Sequence, residues 1–386
     1  MQNDATIHAS YLLGQASTTS GFVAAINEED NYRRIWTRDS AMCGLAALTT
    51  GDPGLIETFK NSIEIILRHQ HPAGFIPSNV TIDEKSVSYG NSVGRVDNHA
   101  WIIISACNYA FVTNNTEWLL KFEYHFEKCF LLMEAWEFNG RGLMYIPQSA
   151  DWADEYIHHG YILFNQLLRL WALRCATKMF YNEKWNIQRD RIEKAITEYF
   201  CRDNSFYSIQ NERQLKDLNV PYWWMGFNTS TAYHQFDLQA NALGLLLQIG
   251  TDEQQQSVVT YIKNMFHQCH FLLPSFYPAI NSSDHGFEDL QNNYAFRFRN
   301  KPNEFHNGGS WSVWNGLAAL AISKYDANLS KQISDAIVEA CKQNEWEFNE
   351  CHHSISHQPI GVPKCAWSAA GLLLSVTTSF SSKLIF

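Results

Sequence analysis

Charge is scarce in this chain. Of its 386 residues, 18% are charged and 46% hydrophobic. Disorder needs the reverse balance, so a disordered chain is excluded. Glycine and proline are few, at 20 and 10. That excludes a collagen-like or linker-rich chain and argues against a many-turned all-β fold. No dense Lys/Arg stripe occurs, and the formal net charge is −10. A phosphate backbone asks for the opposite sign, so neither nucleic acid nor an anionic membrane surface is an expected partner. The nine cysteines are scattered and form no C-x-x-C. Several, such as Cys107, Cys175 and Cys341, sit in apolar helical stretches, so buried, reduced thiols are expected. Met1 to Ser10 show neither a basic nor an apolar leader segment, and a cytoplasmic location is the expectation. The longest apolar run, around Ala100 to Val112, is broken by Ser105 and Asn108 and is too short to span a bilayer.

What the chain does have is aromatic residues and helical pattern. Aromatics make up 14%, with 13 Trp. Aromatic-rich clefts suit ligands with flat apolar faces, sugar rings among them; core packing is the plain alternative for each Trp. Apolar, small-residue helices begin near Arg38, Asp97, Tyr161, Phe236, Ser310 and Cys365. Between them run helices with a single apolar stripe, such as LIETFKNSIEIILRH and LSKQISDAIVEACK. A helix apolar on most sides is buried, and one apolar on a stripe lies at the surface. The alternation predicts an all-α (α/α)6 toroid, with six inner helices inside six outer ones. An α-solenoid alternates helices too, but its repeats are shorter and self-similar. Length alone suggests two or three domains of roughly 150 residues. No linker marks a cut, however, so residues 1–386 are expected to form one domain.

The loops entering the inner helices fall on one face of such a ring. They are rich in Trp, Asp, Glu, His and Asn, which makes a ligand cleft the default expectation there. No phosphate loop, G-x-S-x-G elbow or H-E-x-x-H motif is present. His158, His159, His352, His353 and His357 lack an acidic or cysteine partner at known metal-site spacing, so no metal is expected. Carboxylates among aromatics remain. Asp151-Trp152-Ala153-Asp154-Glu155 precedes the third inner helix, and Glu345-Trp346-Glu347-Phe348-Asn349-Glu350 precedes the sixth. Units three and six of a six-unit ring are opposite each other. Two carboxyl groups across a pocket are what glycoside hydrolysis needs. An N-cap role for Asp151 or Asp154 is the structural alternative.

These motifs resemble, in order, those of the (α/α)6 inverting glycosidases: glucoamylase, the glucosidase part of glycogen debranching enzyme, processing α-glucosidase I and neutral/alkaline invertase. IWTRDSAMCGLAAL is similar to their W-x-R-D helix start, and GRVDNHAWIII to an invertase stretch. DWADEY with GYILFNQLLRLWAL resembles a debranching-enzyme segment, and HNGGSW an invertase one. WEFNE with AWSAAGLLL resembles the family's ending. The chain departs at Ser312, where the invertases have Pro, and at Phe164-Asn165, where debranching enzyme has a Glu.

The resemblance implies Asp154 as general acid, with Asp151 second. It implies Glu347 as general base, with Glu345 second and Glu350 third. Arg38 and Asp39 match the pair that holds a terminal sugar's hydroxyls, and Asp97 a further polar contact. Trp36, Trp101, Trp152, Trp223, Trp224 and Trp311 are candidates to shape the pocket, and His306 and Asn307 to contact substrate. The implied activity is inverting release of a terminal α-linked glucose from a small oligosaccharide or disaccharide, without cofactor or metal. Two other classes stay open. One is a sugar isomerase or epimerase using His158, His159, His306, His352 or His353. The other is a carbohydrate-binding protein without turnover.

Overall fold

The structure, a computed structural model, describes residues 2–201, 220–377 and 383–386. Its helices are α1 (Gln2–Ala16), α2 (Thr37–Thr50), α3 (Pro53–Arg68), α4 (Asn98–Thr113), α5 (Thr116–Leu120), α6 (Glu123–Ala135) and α7 (Leu163–Met179), followed by α8 (Glu183–Phe200), α9 (Leu238–Leu246), α10 (Asp252–Cys269), α11 (Phe287–Asn292), α12 (Ser312–Ile322), α13 (Ala327–Trp346) and α14 (Ala366–Val376).

The helices that are apolar all round are α2, α4, α7, α9, α12 and α14, and nearly all their side chains are buried. Each packs on the next, and α14 returns to α2. Small residues allow the closest approach. A Cβ on Gly316 would come within 2.2 Å of the Gly371 carbonyl oxygen, so α12 and α14 touch backbone to backbone. The stripe helices lie outside. In α3, Leu55, Phe59, Ile63 and Ile66 turn inward, and Asp52 caps the start by accepting from the N–H groups of Gly54 and Leu55. In α10, Thr251 and Gln254 form a capping box. All nine cysteines are free thiols.

The all-α expectation needs correction, because short antiparallel sheets cover one end of the helices. The strands are β1 (Ser17–Thr18), β2 (Gly21–Phe22), β3 (Ile35–Trp36), β4 (Asn79–Val80), β5 (Val87–Ser88), β6 (Tyr161–Ile162), β7 (Trp224–Phe227), β8 (Ala232–Asp237), β9 (Phe276–Tyr277), β10 (Cys351–His352) and β11 (Pro359–Ile360). The largest sheet has the order β6-β7-β8-β9. The reason is local. The entry loops are long and partly buried, so their backbone N–H and C=O groups need partners. Runs such as WWMGF and AYHQF are also rich in the aromatics that suit a pleated surface. Consequently β3, β6 and β8 lead directly into α2, α7 and α9.

Candidate active site

A cavity of about 350 Å³ opens at the N-terminal ends of the inner helices. The first turn of α2 supplies Arg38 and Asp39, with Trp36 just before it. The loop before α7 supplies Trp152, Asp154 and Glu155. The loop before α12 supplies Arg299, Phe305 and His306. Glu350 and Trp367 come from the approach to α14 and its first turn, and Tyr32 and Arg95 complete the wall. Its carboxylates (Asp30, Asp39, Asp154, Glu155, Glu350) outnumber its guanidinium groups (Arg38, Arg95, Arg299). Such a lining does not favour an anionic ligand. Acceptors, forked donors and indole faces suit a polyhydroxyl ring.

Arg38 donates from Nε to Asp97 Oδ2 at 2.9 Å; Asp97 is buried, and Arg38 nearly so. Asp97 lies behind Arg38 rather than on the cavity wall, so it orients Arg38. Burial pushes the Asp39 carboxyl up to about 6, against the pull of Arg38. Arg95 donates to Asp154, and also to the Ser149 carbonyl at 2.9 Å. Asp154 is thus tied to a buried cation while its side chain stays 37% exposed. Asp151 is fully enclosed instead, paired with His158 at 2.9 Å, and lies outside the lining.

The sixth-loop carboxylates separate clearly. Glu347 caps the end of α13, is one-third exposed, and lies 3.5 Å from Lys364 Nζ. Its carbonyl accepts from the Lys364 N–H at 2.7 Å. Neither Glu347 nor Glu345 is part of the cavity wall. Of the three glutamates in this loop, the one that the structure brings to the cavity wall is Glu350. Its Oε1 accepts from the Tyr32 hydroxyl at 2.8 Å, and its Oε2 accepts from the Val362 N–H at 3.2 Å. Burial pushes its carboxyl up to about 7, with the Tyr32 bond and Arg299 acting the other way. Backbone direction separates the three glutamates. Asn344, Glu345, Trp346 and Phe348 all have positive φ, so spacing from Trp346 does not tell which side chain faces inward.

Of the tryptophans, Trp36 and Trp152 line the cavity, as does Trp367, which was not singled out from the AWSAAG motif. Trp101, Trp223, Trp224 and Trp311 are buried and lie outside its lining. Trp311 stacks under His306 at 5.7 Å and 8°, and Trp152 meets His306 edge-on. Asn307 is structural. Its side chain binds Ile280 N and O and the Asn300 carbonyl, which shapes the HNGG turn. Tyr32, Arg95 and Arg299 were also missed. Only Arg95 had a visible signal, inside GRVDNH. Among the histidines, His306 alone lines this cavity, and burial drives it down to about 4. His159 bonds Tyr233 and Asn228 elsewhere, and His353 accepts from Ile355 and Ser356 N–H groups. His352 is buried against Phe271. No group of three or more His, Cys, Asp or Glu among the described residues is placed to hold a metal ion.

The sequence matches no protein-family model and no curated protein. Solved structures do match. One is the GH63 mannosylglycerate hydrolase of Thermus thermophilus in complex with Tris and D-glycerate, at 12% identity and a TM-score of 0.69, over 96% of this chain and 99% of that one. The fold is that of the (α/α)6-barrel glycosidases. A bacterial glucoamylase complexed with acarbose also matches, at 12% identity and a TM-score of 0.66, over 99% of this chain and 56% of that one. So does a rhamnosidase from Klebsiella oxytoca with rhamnose bound, at 12% identity and a TM-score of 0.61, over 96% and 63%. No helix among the described residues is long and apolar enough to cross a membrane.

Proposed function

We propose that this chain is a glycoside hydrolase that releases a terminal, α-linked glucose from a small saccharide with inversion. The observation that carries the reading is one cavity lined by Asp154, Glu350, the Arg38–Asp39 pair and three indoles. Asp154 protonates the glycosidic oxygen, and Glu350 takes a proton from the water that attacks the opposite face of the ring. Arg38 and Asp39 hold adjacent hydroxyls, and Trp36, Trp152 and Trp367 pack against the sugar. The cavity is near the lower end of the roughly 300–1,000 Å³ usual for small-molecule sites, which supports a small substrate. The neighbours named above act on or hold different sugars, so the choice of an α-glucoside rests on the motif resemblance alone. No cofactor enters this scheme.

One observation favours a second reading with the two roles exchanged. A general acid needs a raised pKa and a base an ionised group. In the resting cavity Glu350 is the raised carboxyl, and Asp154 is the one paired with a guanidinium.

The test is NMR of the first product's anomeric form over sucrose, maltose, isomaltose and mannosylglycerate. Wild type runs beside Asp154→Asn and Glu350→Gln. Inversion, lost in both variants, is the expected result; retention overturns the pair. A glycosyl fluoride, whose leaving group needs no acid, separates the roles. The acid variant keeps activity on it and the base variant does not. Hydrolysis of none of these sugars would turn the assignment toward binding or isomerisation.

A further inference from the structure

His158 is fully buried, lies outside the cavity lining and takes no part in the scheme above. Its Nε2 lies 2.9 Å from Asp151 Oδ2, with 2% and 1% of the two side chains exposed. The other oxygen of Asp151 accepts from the Ala153 N–H at 3.0 Å. Asp151 therefore ties the first turn of the 151–158 loop to its last residue. Trp152 and Asp154 are carried between those ties. A second carboxylate acts on the ring through its charge. Asp237, at the end of β8, caps α9 through one oxygen at 2.7 Å from Ala240 N. Its Oδ2 and the His158 Nδ1 are both buried without a partner among the described residues. We propose that His158 is a positioning residue: an imidazolium hydrogen-bonded to Asp151 that fixes the loop carrying Asp154 into the cavity. This rests on the reading of Asp154 as catalytic.

The charges around the ring are consistent with that role. Burial pulls His158 down, but Asp151, through its charge and hydrogen bond, and Asp237 carry it above its ordinary value. Burial pushes Asp151 up, and the charge and hydrogen bond of His158, with Arg38 and the Ala153 N–H, bring it below the usual range. Burial pushes Asp237 up to about 7, against the Ala240 N–H and His158. Tyr156 and Phe276 meet the ring edge-on, at 5.5 and 5.7 Å. His306 completes the ionisable surroundings and is held neutral near pH 7. The signs agree on a window. A raised His contributes below its ordinary pKa and is lost as pH rises through the folded value. A lowered Asp contributes above its ordinary pKa and is lost as pH falls through the folded value. The clamp carries its full charge between the two and weakens on the alkaline side, where His158 loses its charge while its Nε2–H can still bond Asp151.

Two measurements on the full chain test this. The first is ¹⁵N NMR of the imidazoles in resting protein, with His158 assigned from its absence in His158→Gln. A titration midpoint above the ordinary 6.5 is expected; a midpoint at or below 6.5 overturns the proposal. The second is kcat and KM against pH for wild type, His158→Ala and His158→Gln. Misplacing a reacting group by an ångström costs up to about 100-fold, so His158→Ala should lose about 10- to 100-fold in kcat with KM little changed. His158→Gln, which can still donate to Asp151, should recover part of that and lack the alkaline inflection. Wild-type kcat per folded molecule in both variants, with only the melting temperature lowered, would reduce His158 to a packing residue. If His158→Ala does not fold, the glutamine variant alone decides. A wild type that hydrolyses nothing overturns the glycosidase reading and the positioning role with it. The imidazole titration then still decides the charge state independently.

Discussion

The two loops that bring Asp154 and Glu350 into the cavity are held in opposite ways. The loop before α7 is held by charge. Arg95 binds Asp154, and His158 binds Asp151 behind it. The loop before α14 is held by backbone. Left-handed residues turn it at Asn344, Glu345, Trp346 and Phe348, and the N–H groups of Lys364 and Cys365 close it onto the Glu347 and Phe348 carbonyls. The carboxyl groups inherit the difference. Asp154 is partly solvated beside a cation, while Glu350 is enclosed and answers to a neutral hydroxyl. A charged clamp leaves its group accessible beside a cation. A backbone cradle can enclose its group and lift its pKa.

The sharpest way to break this comparison is to remove each glutamate of the second loop in turn. General acid–base groups contribute about 10²- to 10⁴-fold. Glu350→Gln should lose activity on that scale, and Glu347→Gln should stay within a few-fold of wild type. The opposite outcome would return the base to Glu347 and make the enclosure of Glu350 structural. Stability provides a second, substrate-free test. The folded-state pKa of Glu350 is raised from 4.5 to about 7, so the folded protein holds a proton that the unfolded chain releases. Its stability therefore falls as pH rises from 4.5 through about 7. At 1.36 kcal/mol per unit the penalty is at most about 3 kcal/mol. Glu350→Gln removes it and keeps the Tyr32 bond. The variant should denature at higher urea than wild type at about pH 8 and lose that advantage near pH 4.5. Equal midpoints at both pH values would mean that Glu350 is solvated.

The inner and outer helices were legible because burial leaves a plain mark. Residues apolar on every side begin at Thr37, Asn98, Leu163, Leu238, Ser312 and Ala366, within about two residues of where the pattern placed them. The β3, β6 and β8 pairings were not legible, since strands of two to six residues are too short to show a period. Arg38 and Asp39 were legible because they lie at a helix start, and Trp152 and Asp154 because their carboxylate-and-aromatic run stands out in the loop that leads into α7. Glu350 was ranked below its neighbours because a run of positive φ values leaves no regular period to count along. Tyr32 and Arg299 had no signal at all. Their place at the site comes from chain segments far away in sequence, with Tyr32 reaching Glu350 across 318 positions.

A smaller effect sharpens the account of the backbone cradle. Gly361 has φ +81°, and a Cβ there would meet Glu350 Oε2 at 2.4 Å. Gly361→Ala should move the carboxylate off Tyr32, lowering kcat more than Gly14→Ala, where a Cβ meets nothing within 4 Å. Equal activity in the two variants would show that the cradle tolerates movement. The smallest effect concerns the turn itself. A non-glycine residue in the left-handed region costs roughly 1–2 kcal/mol, and glycine removes that cost while losing about 0.5–1 kcal/mol of chain entropy. Glu345 has φ +60° and lies outside the cavity wall. Glu345→Gly should therefore leave stability unchanged or raise it by up to about 1 kcal/mol, with kcat unaltered. A clear loss of stability would mean that the Glu345 side chain, and not its backbone angle, holds the turn.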